Sequence, residues 1–254
     1  MTTALLEIRQ LVVEFDGFRA VDGLDLTVKP GELHFLIGPN GAGKTTVLDV
    51  VTGLTRPAAG RVRFEDVDLL GVREHAIVRL GVGRTFQTPT VFDQLSVLDN
   101  VDLAASFRLR LPALLRRRRQ VDDELEEVLD LVGLAGLGDS PTATLSHGQR
   151  QWLEIAMLLI QRPRLLLLDE PVAGMTAEER ARTGALLQDI ARDHTVVVVE
   201  HDMDFLRRFA RRVTVMHEGR ILCEGTVSEV QADPRVQEVY LGRSRGQSDT
   251  MEVG

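Results

Sequence analysis

A chain of 254 residues with 44% apolar content is long enough for one large domain, or for a core carrying an inserted lobe. Its longest apolar runs, LLLL at 165–168 and VVVV at 196–199, fall far short of the ~20 residues a membrane span requires. A single cysteine, Cys223, excludes an internal disulfide and fits a reducing compartment, and a net charge of −8 argues against a nucleic-acid partner. The first ten residues, MTTALLEIRQ, lack the basic and apolar regions of a signal peptide. The expectation is a cytosolic protein that reaches any membrane only through a partner.

In chain order, residues 5–15 and 21–28 read as strands, with Asp-Gly pairs at 16–17 and 22–23 as turn signals. ELHFLIG is a short apolar strand entering a glycine-rich loop, KTTVLDVVTGL reads as a helix, and GRVRFED at 60–66 alternates like another strand. From about 88 to 160 the pattern turns helical, with Val121, Leu125, Val128, Leu129 and Val132 on one face. RRRR at 116–119 is followed by DDELEE at 122–127, a mixed-sign run expected to be a solvated helix face. VGLAGLGDSP at 132–141 breaks that pattern. Strand-like runs return at 164–168 and 195–199, separated by a helical stretch at 176–193. Apolar strands alternating with helices imply a parallel sheet covered on both faces. The polar tail RSRGQSDTMEVG, residues 243–254, is expected to be disordered.

GPNGAGKT, Gly38 to Thr45, fits the phosphate-binding pattern G-x-x-x-x-G-K-[ST]. Glycines let backbone amides curl around a phosphate, and the following helix directs its positive end there. Lys44 supplies a compact charge; it is one of only two lysines, with Lys29, among 30 basic residues. The Thr45 hydroxyl suits Mg²⁺. LLLLDE, Leu165 to Glu170, is an apolar strand ending in two carboxylates: Asp169 to hold Mg²⁺ through water and Glu170 to polarise an attacking water. VVVVEHD brings His201 to a similar strand tip. In LSHGQ, Ser146 is a good helix N-cap, and with an exposed Gly148 the helix start becomes a second anion site. A chain that already holds one phosphate cradle has no obvious use for a second, so two chains are expected to face each other.

This ordered set resembles the nucleotide-binding subunits of ATP-binding cassette (ABC) transporters, over about residues 5–242. GPNGAGKTT corresponds to Walker A, RTFQTP with Gln87 to the Q-loop, LSHGQ to the signature, LLLLDEP to Walker B, and His201 to the switch histidine. The resemblance implies an α/β P-loop NTPase (RecA-like) core, at about 1–87 and 161–242, with an N-terminal antiparallel β subdomain and an inserted α-helical subdomain at about 88–160. It implies ATP and Mg²⁺ as ligands. Asn40, Gly41, Ala42, Gly43, Lys44, Thr45 and Thr46 would bind the nucleotide, with Phe15 stacked on adenine and Val21 nearby. Ser146, His147, Gly148 and Gln149 would meet the nucleotide of the facing chain. Thr45, Gln87 and Asp169 would serve the metal, and Glu170, His201 and Lys44 would carry catalysis.

Two residues depart from the family pattern. His147 replaces the usual glycine of the signature, and Thr176 stands where an aspartate commonly couples the two sites. LSHGQRQWLEIAMLL, DEPVAGMT, VVVVEHDM and DPRVQEVYLG look like the urea-type branch of the branched-chain amino-acid uptake group, with the wider group as the alternative. The implied partners are transmembrane permeases, a second ATP-binding subunit (this chain or a close relative) and, indirectly, a periplasmic binding protein, at the cytoplasmic face of the inner membrane. A non-transport ABC ATPase acting on DNA or ribosomes would carry long coiled coils or a second cassette, and neither is present in the sequence. An exporter motor fits the C-terminal pattern poorly, and a simple P-loop kinase leaves Ser146 to Gln149 unexplained.

Overall fold

The computed structural model describes residues 4–85, 90–106 and 119–246. Two sheets organise them. The first is antiparallel, built from β1 (Leu6–Phe15), β2 (Phe18–Val28), β4 (Ala59–Phe64) and β5 (Val67–Asp68) in the order β2-β1-β4-β5. The second has six strands: β3 (Leu33–Ile37), β6 (Val82–Arg84), β7 (Leu165–Asp169), β8 (Thr195–Glu200), β9 (Arg212–His217) and β10 (Arg220–Gly225), in the order β10-β9-β3-β8-β7-β6. Every pairing in it is parallel except β9 with β10.

The apolar runs explain how the central strands sit. Alternate side chains point to opposite faces of a strand. Phe35, Leu166, Leu168, Val196 and Val198 join the core beneath the helices, while Leu36, Leu165, Leu167, Val197 and Val199 join the core shared with the antiparallel sheet. With apolar packing on both faces, four consecutive leucines or valines are what such a strand needs.

One turn signal resolves differently from expectation. Asp16-Gly17 closes the β1–β2 hairpin, but Asp22-Gly23 lies inside β2. The register passes from Leu11–Leu24 to Val12–Asp22, so Gly23 is the extra residue of a bulge, with φ 73°.

The helices are α1 (Lys44–Val51), α2 (Glu74–Leu80), α3 (Val97–Ser106), α4 (Arg119–Leu131), α5 (His147–Leu159), α6 (Ala177–Ile190), α7 (Met203–Phe209), α8 (Val227–Ala232) and α9 (Pro234–Gly246). Buried Asn100 on α3 fastens the helical region. Its amide donates to Phe92 O (3.1 Å), Ser96 O (2.9 Å) and Thr142 Oγ1 (3.0 Å), and its oxygen accepts from Phe92 N. Trp152 on α5 donates to Thr183 Oγ1 on α6 at 2.9 Å, while the Arg182 guanidinium lies over its ring at 4.5 Å. α9 runs on to Gly246, so residues 243–246 of the expected disordered tail are helical; the remainder lies outside the described residues. None of the helices described is long and apolar enough to cross a membrane.

Candidate functional site

The loop between β3 and α1 needs its glycines for two reasons. Gly38, Gly41 and Gly43 adopt φ of 155°, 81° and 97°, conformations that side chains resist. Close approach adds to this: a Cβ on Gly38 would stand 2.2 Å from Met216 O, and one on Gly43 would stand 2.3 Å from Ala20 O. Gly43 is the N-cap of α1 and supplies no side-chain cap, so the first-turn amides of α1 are open to an anion. Lys44 is almost fully buried, and its ammonium curls back to donate to Gly38 O (2.8 Å) and Pro39 O (3.0 Å).

The loop lines a cleft of about 390 Å³ through Asn40, Gly41, Ala42, Gly43, Lys44, Thr45 and Thr46, together with Glu170, Phe15, Phe18 and Ala20. Phe15 and Phe18 flank the hairpin turn and are 48% and 67% exposed, large apolar rings free to take a planar base. Val21 does not belong with them. It is fully buried in the antiparallel core, because β2 points it inward while Ala20 forms the cleft wall. Phe18, not singled out in the sequence, lines the cleft where Val21 does not.

Asp169 ends β7 with its carboxylate almost entirely buried, and burial raises its pKa above the usual carboxylate value. The Arg84 charge and the Thr45 hydroxyl oppose that rise; Arg84 Nη2 lies 3.4 Å from Oδ2, and Oδ1 has no hydrogen-bond partner. A buried, unsatisfied carboxylate oxygen beside a hydroxyl is a donor pair that fits Mg²⁺, a hard cation that takes oxygen ligands and keeps several waters. Arg84, which also holds Asp49 at 2.5 Å, has no signal in the sequence motifs. Gln87, the other residue expected at the metal, lies outside the described residues.

Glu170 is held with φ 51°, a conformation rare for glutamate, while its amide donates to Val199 O at 2.9 Å. His201 reaches it across the strand tips, Nδ1 to Oε1 at 3.4 Å. Buried Glu200 ties the two loops that carry this pair. Its carboxylate accepts from His201 N (3.0 Å), Asp202 N (3.4 Å) and Val172 N (3.4 Å), and burial raises its pKa. Its place within VVVVEHD could have suggested that role: an acid at the end of a buried run must find amides to satisfy it.

The signature residues are not among those lining this cleft. Ser146 caps α5 in a complete capping box: Oγ accepts from Gln149 N at 3.2 Å, and Gln149 Oε1 accepts from Ser146 N at 2.9 Å. The His147 ring nitrogen Nε2 sits 3.1 Å from Ala173 O. Ser146 and His147 are exposed, but Gly148 is buried, against expectation, because the Glu179 carboxylate lies over it. Thr176 proves to be the N-cap of α6, boxed with Glu179.

Comparison with known proteins then decides the family. The family model "ABC transporter" matches residues 21–173. The chain belongs to the ABC transporter family. A second model, "Branched-chain amino acid ATP-binding cassette transporter", matches residues 220–245 and places the chain in that group of ABC ATP-binding subunits. The chain is 34% identical to the high-affinity branched-chain amino acid transport ATP-binding protein BraF of Pseudomonas aeruginosa, over 96% of this chain and 100% of the relative. It is 35% identical to the lipopolysaccharide export system ATP-binding protein LptB of Acidithiobacillus ferridurans, over 94% and 97%. The crystal structure of the ADP conformation of an ATP-binding cassette of an ABC transporter superposes with a TM-score of 0.84 at 29% identity, covering 95% of this chain and 100% of that one. The fold is thus that of an ABC ATPase with a P-loop NTPase core, and the chain is an ATPase.

Proposed function

We propose that this chain is the ATP-hydrolysing motor of an importer in the branched-chain amino-acid uptake group, two cassettes closing around two MgATP at the cytoplasmic face of the inner membrane. The observation that carries the motor reading is the pair of helix starts: an open, glycine-capped cradle beside Glu170 and His201, and a separate serine-capped start that does not line the same cleft. Each chain presents Ser146, His147 and Gln149 to the nucleotide held in the other. Within a site, Phe15 and Phe18 take the base, and the amides of 40–46 take the phosphates. Lys44 and His201 stabilise charge at the outer phosphate. Glu170, oriented by His201, positions the water. Thr45, Asp169 and Gln87 would hold Mg²⁺, which when bound neutralises phosphate charge.

The match at 220–245 and the BraF relative favour branched-chain amino acids over the urea suggested by His147. LptB, equally similar in identity, is named for export, so overall identity does not set the direction of transport; the C-terminal match favours import. The partners are permease subunits and, through them, a periplasmic binding protein, with no nucleic acid. The test is ATP hydrolysis by the reconstituted complex, with binding protein loaded by leucine or by urea. Leucine should stimulate it; stimulation by urea alone would overturn the solute assignment and leave the motor intact.

A further inference from the structure

Glu179, the third residue of α6, does more than close a capping box. One oxygen, Oε2, serves the box, accepting from Thr176 N at 2.9 Å and from Thr176 Oγ1 at 3.0 Å. The other, Oε1, accepts the Ser146 hydroxyl proton at 3.3 Å and lies 2.6 Å from where a Cβ on Gly148 would stand. A box does not require this second oxygen. At α8 the same Thr-x-x-Glu device closes on Glu229 Oε2 alone, which accepts from Thr226 N (2.7 Å) and Thr226 Oγ1 (2.9 Å). Glu179 therefore places a negative charge on Ser146 and Gly148, the residues read above as meeting a phosphate. Hydrogen bonds from Thr176 and Ser146 and the field of His147 hold its pKa below the usual carboxylate range, so it stays charged.

Counting protons makes the consequence concrete. A serine hydroxyl donates once. Ser146 Oγ already accepts from Gln149 N, and its single proton goes to Glu179. A phosphate arriving from a second chain can receive that proton only if Glu179 gives it up, and the two anions repel each other meanwhile.

We infer that Glu179 is a positioning residue that occupies the signature serine in the separated chain and sets the ATP concentration at which two copies of this chain close. The inference rests on the two-chain reading above. Release of Ser146 from Glu179 is then part of closure, and a side chain that cannot accept the Ser146 proton should ease it. Glu179→Gln retains an oxygen for Thr176 and turns an amide NH₂ toward Ser146, removing both the charge and the acceptor.

The test is an ATP-Mg²⁺ titration of the full chain carrying Glu170→Gln, chosen to slow turnover on the proposed role of Glu170, with molecular mass followed by light scattering and folding checked by thermal midpoint. Adding Glu179→Gln should lower the ATP concentration at half-dimerisation about fivefold, the scale of one hydrogen bond at an exposed site, with the thermal midpoint lowered by no more than a few degrees. An unchanged or higher half-point overturns the inference. If Glu179→Gln does not fold, Glu179→Ala with Thr176→Asn, capped through the asparagine alone, carries the same prediction. A Glu170→Gln chain that stays monomeric at every ATP concentration overturns the two-chain reading itself.

Discussion

The start of α1 and the start of α5 each present backbone amides that a helix cannot satisfy within itself, and deal with them in opposite ways. At α1 the N-cap is Gly43, with no side chain to offer, and the amides open onto a cleft. At α5 the N-cap is Ser146, boxed by Gln149 and overlaid by the Glu179 carboxylate. One helix start waits for an anion; the other already holds one from its own chain. The difference teaches how a cassette can bind nucleotide alone yet delay pairing. On the two-chain proposal the open start needs only the Lys44 ammonium to turn from Gly38 O and Pro39 O toward ATP, whereas the closed start would have to exchange an internal anion for the phosphate of a second chain.

The largest effects should come from the open end. Lys44→Ala removes the ammonium held between Gly38 O and Pro39 O, and ATP hydrolysis should fall about a hundredfold or more; phosphate release within a factor of about three of the unaltered chain would contradict its role. Glu170→Gln should lower turnover on the same scale while leaving ATP binding nearly intact, and normal turnover would remove Glu170 as the group that positions water. At the closed end a smaller change is expected. Ser146→Ala loses the cap of α5, costing about 1 kcal/mol in denaturant unfolding, and should reduce hydrolysis about tenfold without altering ATP affinity of the isolated chain. A loss of affinity there would place Ser146 in the same cleft as Lys44 and dissolve the contrast.

The smallest pair separates base binding from packing. Phe15→Ala should weaken ATP binding about fivefold at constant stability, as loss of one exposed stacking ring does. Val21→Ala should do the reverse, costing about 2 kcal/mol of stability for its two buried methyl groups and leaving affinity alone.

Where the residues that decide a feature are adjacent in sequence, the feature was legible. The runs at 165–168 and 196–199 announce two-sided burial, and Gly38 to Thr45 follows directly on a strand and leads into a helix. Features made by distant residues were not. Gly148 was read as exposed because the acid covering it lies 31 positions later, on another helix. Val21 and Phe18 are three residues apart, and the hairpin register, not their chemistry, decides which of them faces the cleft. Arg84 reaches Asp169 only because β6 pairs with β7 across a long stretch of chain. In the same way, Asp22-Gly23 has turn chemistry, but the partner strand turns it into a bulge.

The measurement closest to the central claim mixes two inactive chains, one carrying Lys44→Ala and the other Ser146→Arg, and follows ATP hydrolysis. If each site joins the cradle of one chain to the signature of the other, mixed pairs contain one intact site and activity returns in part. If hydrolysis stays at the level of either variant alone, both halves belong to the same chain, and the two-chain account is wrong.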